Sequence, residues 1–413
     1  MPAVGGLPFY DGSTLLTTAE VGPLLVAAVE HAGGTLTQWH LDHVDASPGR
    51  STTATFSATV DWPGGPRREL LGASARVGGR RGNDERAVIF GDGEREVAVW
   101  LYPDDPDLPG LARSARPAAL ASLLTEHQVF GSAVDPAAVS VEMISYRPRR
   151  RAVVRATVAR PTGPETLFVK VLPEAGYGPT LERHQLLLAA GVPAPVVAAT
   201  TADFVLVLRP VVGRPLASAI FDEAMPCTAD NMIRLLDSMP PAVAALPRRP
   251  PWTDAVATYA DIVAAAAPSL QPQLGWLVGQ IATGLAGLPL GVEPTHGDFH
   301  EGQLFVSRGL ITGMIDIDTI GPGRRADDLA CMIAHLSTVQ RMTAEQAAGL
   351  TRLIALWLAA FDARVDPREL RLRAAGVIVS LATGPYRSQE PGWLTDTQAM
   401  INTAETLVRV AVG

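Results

Sequence analysis

The side chains of this 413-residue chain that could do chemistry crowd into one stretch, residues 295–318, THGDFHEGQLFVSRGLITGMIDID. A His-Gly-Asp turn places Asp298 five positions ahead of Gln303. Two apolar runs, Leu304 to Val306 and Leu310 to Ile315, flank the polar turn Ser307-Arg308-Gly309 and read as a hairpin leading to Asp316 and Asp318. Both acidic groups then sit at the same end of the hairpin. Carboxylate and carboxamide oxygens there are hard donors suited to Mg²⁺ and, through it, to phosphates. Two apart on a strand, Asp316 and Asp318 would share a face. A zinc-hydrolase reading of His296, Asp298, His300 and Asp316 uses the same stretch but leaves the rest of the chain unexplained.

Phosphoryl transfer needs a base for the nucleophile, a divalent cation, a cation on the phosphates and an acid that orients it. Asp298 and Gln303 have the spacing of the base and metal ligand in H-R-D-x-x-x-x-N, and Asp316 is placed as the second metal ligand. Lys170 is the only lysine, so the other 33 of the 34 basic residues are arginine. Arg-rich usage follows from a GC-rich genome, but a site that needs a compact ammonium retains lysine. It lies mid-strand in Thr166 to Leu172. Glu182 follows on a helix, Thr180 to Ala190, where it either pairs with Lys170 or simply faces solvent. Arg209 to Val211 would link a small sheet lobe to a helical lobe and offer backbone groups to adenine.

These residues need positioning elements. Residues 1–95 read as an α/β cap: a helix over Val21 to His31, then strands at Thr52 to Val60 and Glu69 to Val77. His40, Asp42 and His43 read as polar positions of a strand. Residues 96–211 read as a sheet lobe with strands at Glu96 to Tyr102, Val139 to Arg147, Arg151 to Ala159, Thr166 to Leu172 and Phe204 to Leu208. Residues 212–413 are mostly helical. Hydrophobic residues make up 47% of the chain and the net charge is −8, which provides for large cores and argues against a nucleic-acid partner. Cys227 and Cys331 match no zinc or redox spacing. No basic residue precedes Arg50, so no secretory signal is expected, and no apolar run is long enough to span a bilayer. The expectation is a soluble, cytoplasmic protein.

From about residue 140 the chain resembles the aminoglycoside phosphotransferase/choline kinase-like family. HGDFHEGQ at 296–303 is similar to H-G-D-x-H-x-G-N, and IDIDTIGPGRRADDLA at 315–330 to the stretch ending in D-L-A. FVKV at 168–171 and LVLRPVVGRPL at 206–216 also match. With Gln in place of Asn and an N-terminal cap, the chain looks most like actinobacterial maltokinases and glucosamine kinases. The resemblance implies an α+β, bilobal protein-kinase-like fold under the α/β cap, with ATP and Mg²⁺ as cofactors. It implies Asp298 as catalytic base, Gln303 and Asp316 as metal ligands, Lys170 on the phosphates and Glu182 as its orienter. Asp318 lies beside the metal or substrate, and Asp328 braces the catalytic loop. No glycine-rich phosphate loop is present. Tyr146-Arg147-Pro148-Arg149-Arg150 stands in its place, and Arg149 is the candidate to grip phosphate through its side chain.

His296 reads as a structural residue, and His300 as either a substrate contact or a loop support. The segment 384–393, GPYRSQEPGW, is either a plain helix connection or part of an acceptor site. In the second case Tyr386 or Trp393 stacks on a sugar ring, while Arg387, Gln389 and Glu390 bond its polar groups. The expected activity is a kinase acting on a sugar hydroxyl, with glucosamine at its 6-position first, because Glu301, Asp318 and Glu390 favour a cation. A maltokinase, an aminoglycoside phosphotransferase, a phosphohydrolase and a catalytically dead binding module are the alternatives.

Overall fold

The computed structural model describes residues 11–78, 85–91, 96–222 and 225–413. They divide into two compact units. The first holds residues up to Tyr177, with Ala198–Leu208 and Arg387–Pro391; the second holds Gly178–Val197, Arg209–Tyr386 and Gly392–Gly413.

The first unit contains two five-stranded antiparallel sheets. The first comprises β1 (Thr35–Ser47), β2 (Ser51–Trp62), β3 (Gly65–Arg76), β4 (Val88–Gly91) and β5 (Glu96–Leu101), in the order β1-β2-β3-β5-β4. Alternation in β2 decides its faces: Ala54, Phe56, Ala58 and Val60 are buried with Leu25 and Val29 of the helix Gly22–His31. The boundary expected at residue 95 lies outside the described residues. The strand after it, β5, pairs with β3 and β4.

The second sheet comprises β6 (Val139–Arg147), β7 (Arg151–Arg160), β8 (Gly163–Val171), β9 (Val197–Thr200) and β10 (Val205–Leu208), in the order β6-β7-β8-β10-β9. Lys170 on β8 pairs with Val153 and Leu206, which buries it to 5% exposure in the middle of the sheet. A polar relay ties the two sheets: Trp100 Nε1 donates to the Tyr146 hydroxyl at 2.8 Å, which donates to Asp105 at 2.8 Å. Trp100 lies across Gly72, where a Cβ would come within 2.4 Å of its ring.

The second unit is built mainly of helices around one apolar core. They include Ala229–Asp237, Gln271–Leu285, Arg325–Ser337, Ala344–Asp362, Pro367–Leu381 and Trp393–Val412. The helix expected from Thr180 starts earlier, at Glu174, and takes Pro179 into its interior, where the missing N–H leaves one i→i−4 hydrogen bond unmade. Between the helices lie β11 (Arg214–Pro215), β12 (Glu293–Thr295), β13 (Leu304–Ser307), β14 (Leu310–Met314) and β15 (Gly321–Gly323). β13 and β14 form the expected hairpin, with Leu304 opposite Met314. Beyond it the chain departs from the strand expected to carry both acids. Asp316 is left-handed (φ 52°, ψ 49°) and starts a 3-10 turn at Ile317–Thr319. Strand alternation therefore does not place Asp316 and Asp318 on a common face. Among the described residues no helix is long and apolar enough to cross a membrane.

Candidate active site

The site rests on the start of the helix Arg325–Ser337. Asp328, fully buried, accepts the backbone N–H of His296 at 2.9 Å and of Gly297 at 2.8 Å. Arg325, itself buried, lies 3.6 Å away. Burial pushes the Asp328 carboxyl up to about 7, while Arg325 and the two amides oppose that rise. Gly297 has φ +79°, and a Cβ there would lie 2.8 Å from the Thr319 carbonyl, so the turn before Asp298 requires glycine.

His296 closes this turn from inside. Its Nδ1 accepts the Asp298 N–H at 3.3 Å and its Nε2 faces the Ile315 carbonyl at 3.1 Å. The proton therefore sits on Nε2, and burial holds the ring neutral. With both nitrogens engaged, His296 has none left for a metal, which removes a ligand from the zinc reading.

His300 starts the next turn, with its Nδ1 accepting the Gly302 N–H at 3.1 Å. The neutral ring then carries its proton on Nε2, 3.0 Å from the atom placed as Gln303 Nε2, so the amide is to be read with its oxygen and nitrogen interchanged. Only the amide oxygen can accept it, and amide oxygen and nitrogen are assigned from such networks. A carboxamide oxygen has two lone pairs, so one remains for a cation. Gln303 and Asp316 thus fit Mg²⁺ as hard-oxygen donors. Ile315 N donates to the Gln303 carbonyl at 2.8 Å, which ties the Gln303 turn to the chain just before Asp316. The His300 ring stacks on His335 at 3.8 Å and 6°. Asp298, His300 and His335 bring possible ligand atoms within 4.8 Å of one another. Parallel stacked rings, however, cannot both point lone pairs at one ion.

Two further groups interact with Asp298, one by contact and one through its charge. Cys331 Sγ is 3.8 Å from its Oδ1. Glu301 is pushed up to about 7, first by burial and then by the Asp298 charge. Its buried Oε2 makes no hydrogen bond among the described residues.

Of the residues singled out from sequence, Asp298, His300, Glu301, Gln303, Asp316 and Asp318 fall in the second unit. His296 senses the charges of both Asp316 and Asp318, and His300 that of Asp316. Tyr386 and Trp393 are also in this unit and pack on each other edge to face at 4.9 Å. Arg209 N donates to the Val196 carbonyl at 2.9 Å, and Val211 packs against Gly313. Glu182 is exposed, whereas Arg183 beside it is buried and bonds the Ile320 carbonyl at 3.1 Å, after the acidic pair. Lys170, Arg149, Arg387, Gln389 and Glu390 belong to the first unit. Arg387 lies 3.5 Å from Asp45. Arg149, expected on phosphate, points its guanidinium at Ser74 and Asp107. Sequence reasoning missed Arg183, Cys331 and His335. Asp328, Cys331 and His335 stand at i, i+3 and i+7, a one-face helical spacing that could have revealed the last two.

Residues 148–372 match the model of the phosphotransferase enzyme family, more than half of the chain. The chain belongs to the phosphotransferase enzyme family. Two solved structures share the fold of this phosphotransferase at low identity. A choline kinase from Cryptosporidium parvum Iowa II is 10% identical, with 71% of this chain and 96% of that one covered and a TM-score of 0.50. A thermostable mutant of the aminoglycoside phosphotransferase APH(4)-Ia, in its apo form, is 15% identical, with 70% and 99% covered and a TM-score of 0.50. The mixed α+β architecture is therefore the kinase-like one. No curated protein is significantly similar in sequence to this phosphotransferase.

Proposed function

We propose that this phosphotransferase is an ATP- and Mg²⁺-dependent kinase that transfers the γ-phosphate to a hydroxyl of an amino sugar, with glucosamine at its 6-position as the first candidate. Asp298 accepts the hydroxyl proton as the oxygen attacks phosphorus, held in place by the Asp328-braced turn and the His296 amide contact. Gln303 and Asp316 would hold Mg²⁺, which when bound neutralises charge developing on the phosphates. Lys170 supplies a compact cation for the phosphates, with Glu182 as the candidate to orient it. Arg209 and Val211 offer the adenine its backbone contacts. Tyr386, Arg387, Gln389, Glu390 and Trp393 are the candidates to bound the acceptor, with Asp318 beside it.

The observation that carries the acceptor class is the buried Glu301 Oε2, which makes no hydrogen bond among the described residues and lies 3.8 Å from His300 Nδ1, on a carboxyl that feels the Asp298 charge. A buried polar atom without a partner is costly, and an acceptor ammonium would satisfy it. The cap and the Gln in HGDFHEGQ suggest the glucosamine kinases and maltokinases as the nearest functional types. A cytoplasmic setting is consistent with the buried free thiols Cys227 and Cys331.

An ATP-consumption assay over glucosamine, glucose, maltose and aminoglycosides tests the reading. Turnover highest with glucosamine supports it. Turnover confined to maltose or to aminoglycosides replaces the acceptor. ATP binding without turnover of any acceptor identifies a binding module instead.

A further inference from the structure

The first sheet carries a cavity lined by none of the residues that the proposed phosphotransfer uses. Its volume is about 370 Å³, within the range of small-molecule sites. The floor is one cross-strand row drawn from all five strands: Asp45 pairs with Thr53, Thr53 with Ser74, Ser74 with Ala98, and Ala98 with Ile89. This is the face opposite the one that buries Ala54, Phe56 and Val60, because neighbours along a strand point to opposite sides. Ser47 and Arg76, two residues on from Asp45 and Ser74, extend the same face.

One wall is the turn between β6 and β7, and its guanidiniums are already fixed. Arg149 Nε donates to Ser74 Oγ at 2.8 Å, its Nη1 lies 3.3 Å from Asp107, and its Cζ sits 5.1 Å above the Trp100 ring. Its backbone N–H donates to Asp105 at 2.8 Å. Arg150 reaches Asp45 at 2.8 Å. Of the lining, only Pro148, Arg149 and Arg150 fall within the family match at 148–372, so the cavity belongs to this chain's own additions.

The lining selects a ligand class. Two of the lining carboxylates are already paired: Asp107 with Arg149, and Asp45 with Arg150 and with Arg387 from beyond the lining. A charged ligand would have to compete with these ion pairs. An apolar ligand would strip water from these groups and return no hydrogen bonds. A neutral ligand rich in hydroxyls, each both donor and acceptor, can satisfy carboxylates, guanidiniums and the Ser47, Thr53 and Ser74 hydroxyls together. We infer that the cavity binds a neutral polyhydroxylated molecule, of the class of a mono- or disaccharide, through residues other than those proposed above for the acceptor.

Hydrogen–deuterium exchange on the full chain, with maltose and glucose as probes, tests this without reference to turnover. Saccharide is expected to slow exchange about tenfold in peptides covering 45–53 and 72–76. Ser47→Trp, which fills the cavity from the end of β1, should abolish that protection. Thr53→Ala should weaken saccharide affinity there about fivefold by removing a hydrogen bond. Both variants should keep phosphotransfer within about twofold of the parent, which separates this site from the acceptor reading. Protection confined to peptides covering 296–303 and 384–393 would overturn the inference. So would protection at 45–53 that both variants leave unchanged, or protection there by inorganic phosphate and by neither sugar.

Discussion

The Asp328 carboxylate accepts the backbone N–H of Gly297 at 2.8 Å, one residue before Asp298. Its other oxygen takes the His296 N–H, and Arg325 stands 3.6 Å off. The turn before Asp298 is therefore held by a buried carboxyl with Arg325 beside it rather than by an apolar contact. Removing one member of such a pair strands the other. Asp328→Ala is expected to destabilise the protein by about 3–5 kcal/mol, measured by urea denaturation. A loss below about 1 kcal/mol would mean that the pair does not hold the turn.

Asp298→Asn keeps the side-chain shape and removes the proposed base. A general base contributes about 10²–10⁴-fold, so kcat should fall by that order while ATP affinity, followed by fluorescence titration, stays nearly constant. Unchanged turnover would remove Asp298 from the chemistry.

Lys170 is buried mid-strand and is the only lysine in the chain. Lys170→Arg retains charge but replaces a compact ammonium with a planar fork. We expect kcat to drop by about 10²-fold, the scale of losing one transition-state donor, with the thermal midpoint little changed. Near-parental kcat in this variant would show that charge alone suffices.

His300 Nε2 lies 3.0 Å from the Gln303 side-chain amide and so fixes its orientation. Partners behind a ligand set its affinity, and losing one costs about 10–100-fold. His300→Ala should raise the Mg²⁺ concentration giving half-maximal activity by that order, with the ATP KM measured at saturating Mg²⁺ largely preserved. An unchanged Mg²⁺ requirement would separate His300 from the metal.

Glu301 predicts a pH dependence. Its folded pKa is raised from 4.5 to about 7 by burial and by Asp298. Because the folded value lies above the unfolded one, the stability this carboxyl contributes is fully present below about 4.5 and is lost as pH rises through about 7. Binding of a cationic acceptor runs the other way, since the carboxylate forms over the same rise. The glucosamine KM should fall between about pH 6 and 7.5, that of a neutral sugar should not, and Glu301→Gln should flatten the profile. Parallel profiles for the two acceptors would exclude Glu301 from amine recognition.

The sequence by itself determined the hairpin of β13 and β14, the spacing of Asp298, Gln303 and Asp316, and the mid-strand Lys170. Each follows from local periodicity and turn chemistry, which neighbouring residues encode. It did not determine the left-handed turn at Asp316, which breaks strand alternation two residues beyond Met314. The partners that act across the fold were also out of reach: Asp328 under the Gly297 amide, His335 stacked on His300, and Arg183 on the Ile320 carbonyl. The Arg-rich turn shows the difference most clearly. Residue order places Arg149 where a phosphate loop would be, whereas hydrogen bonds to Ser74 and Asp107, 75 and 42 residues away in sequence, decide where its guanidinium points. Such contacts form only when distant strands pair, so tertiary packing alone assigned them.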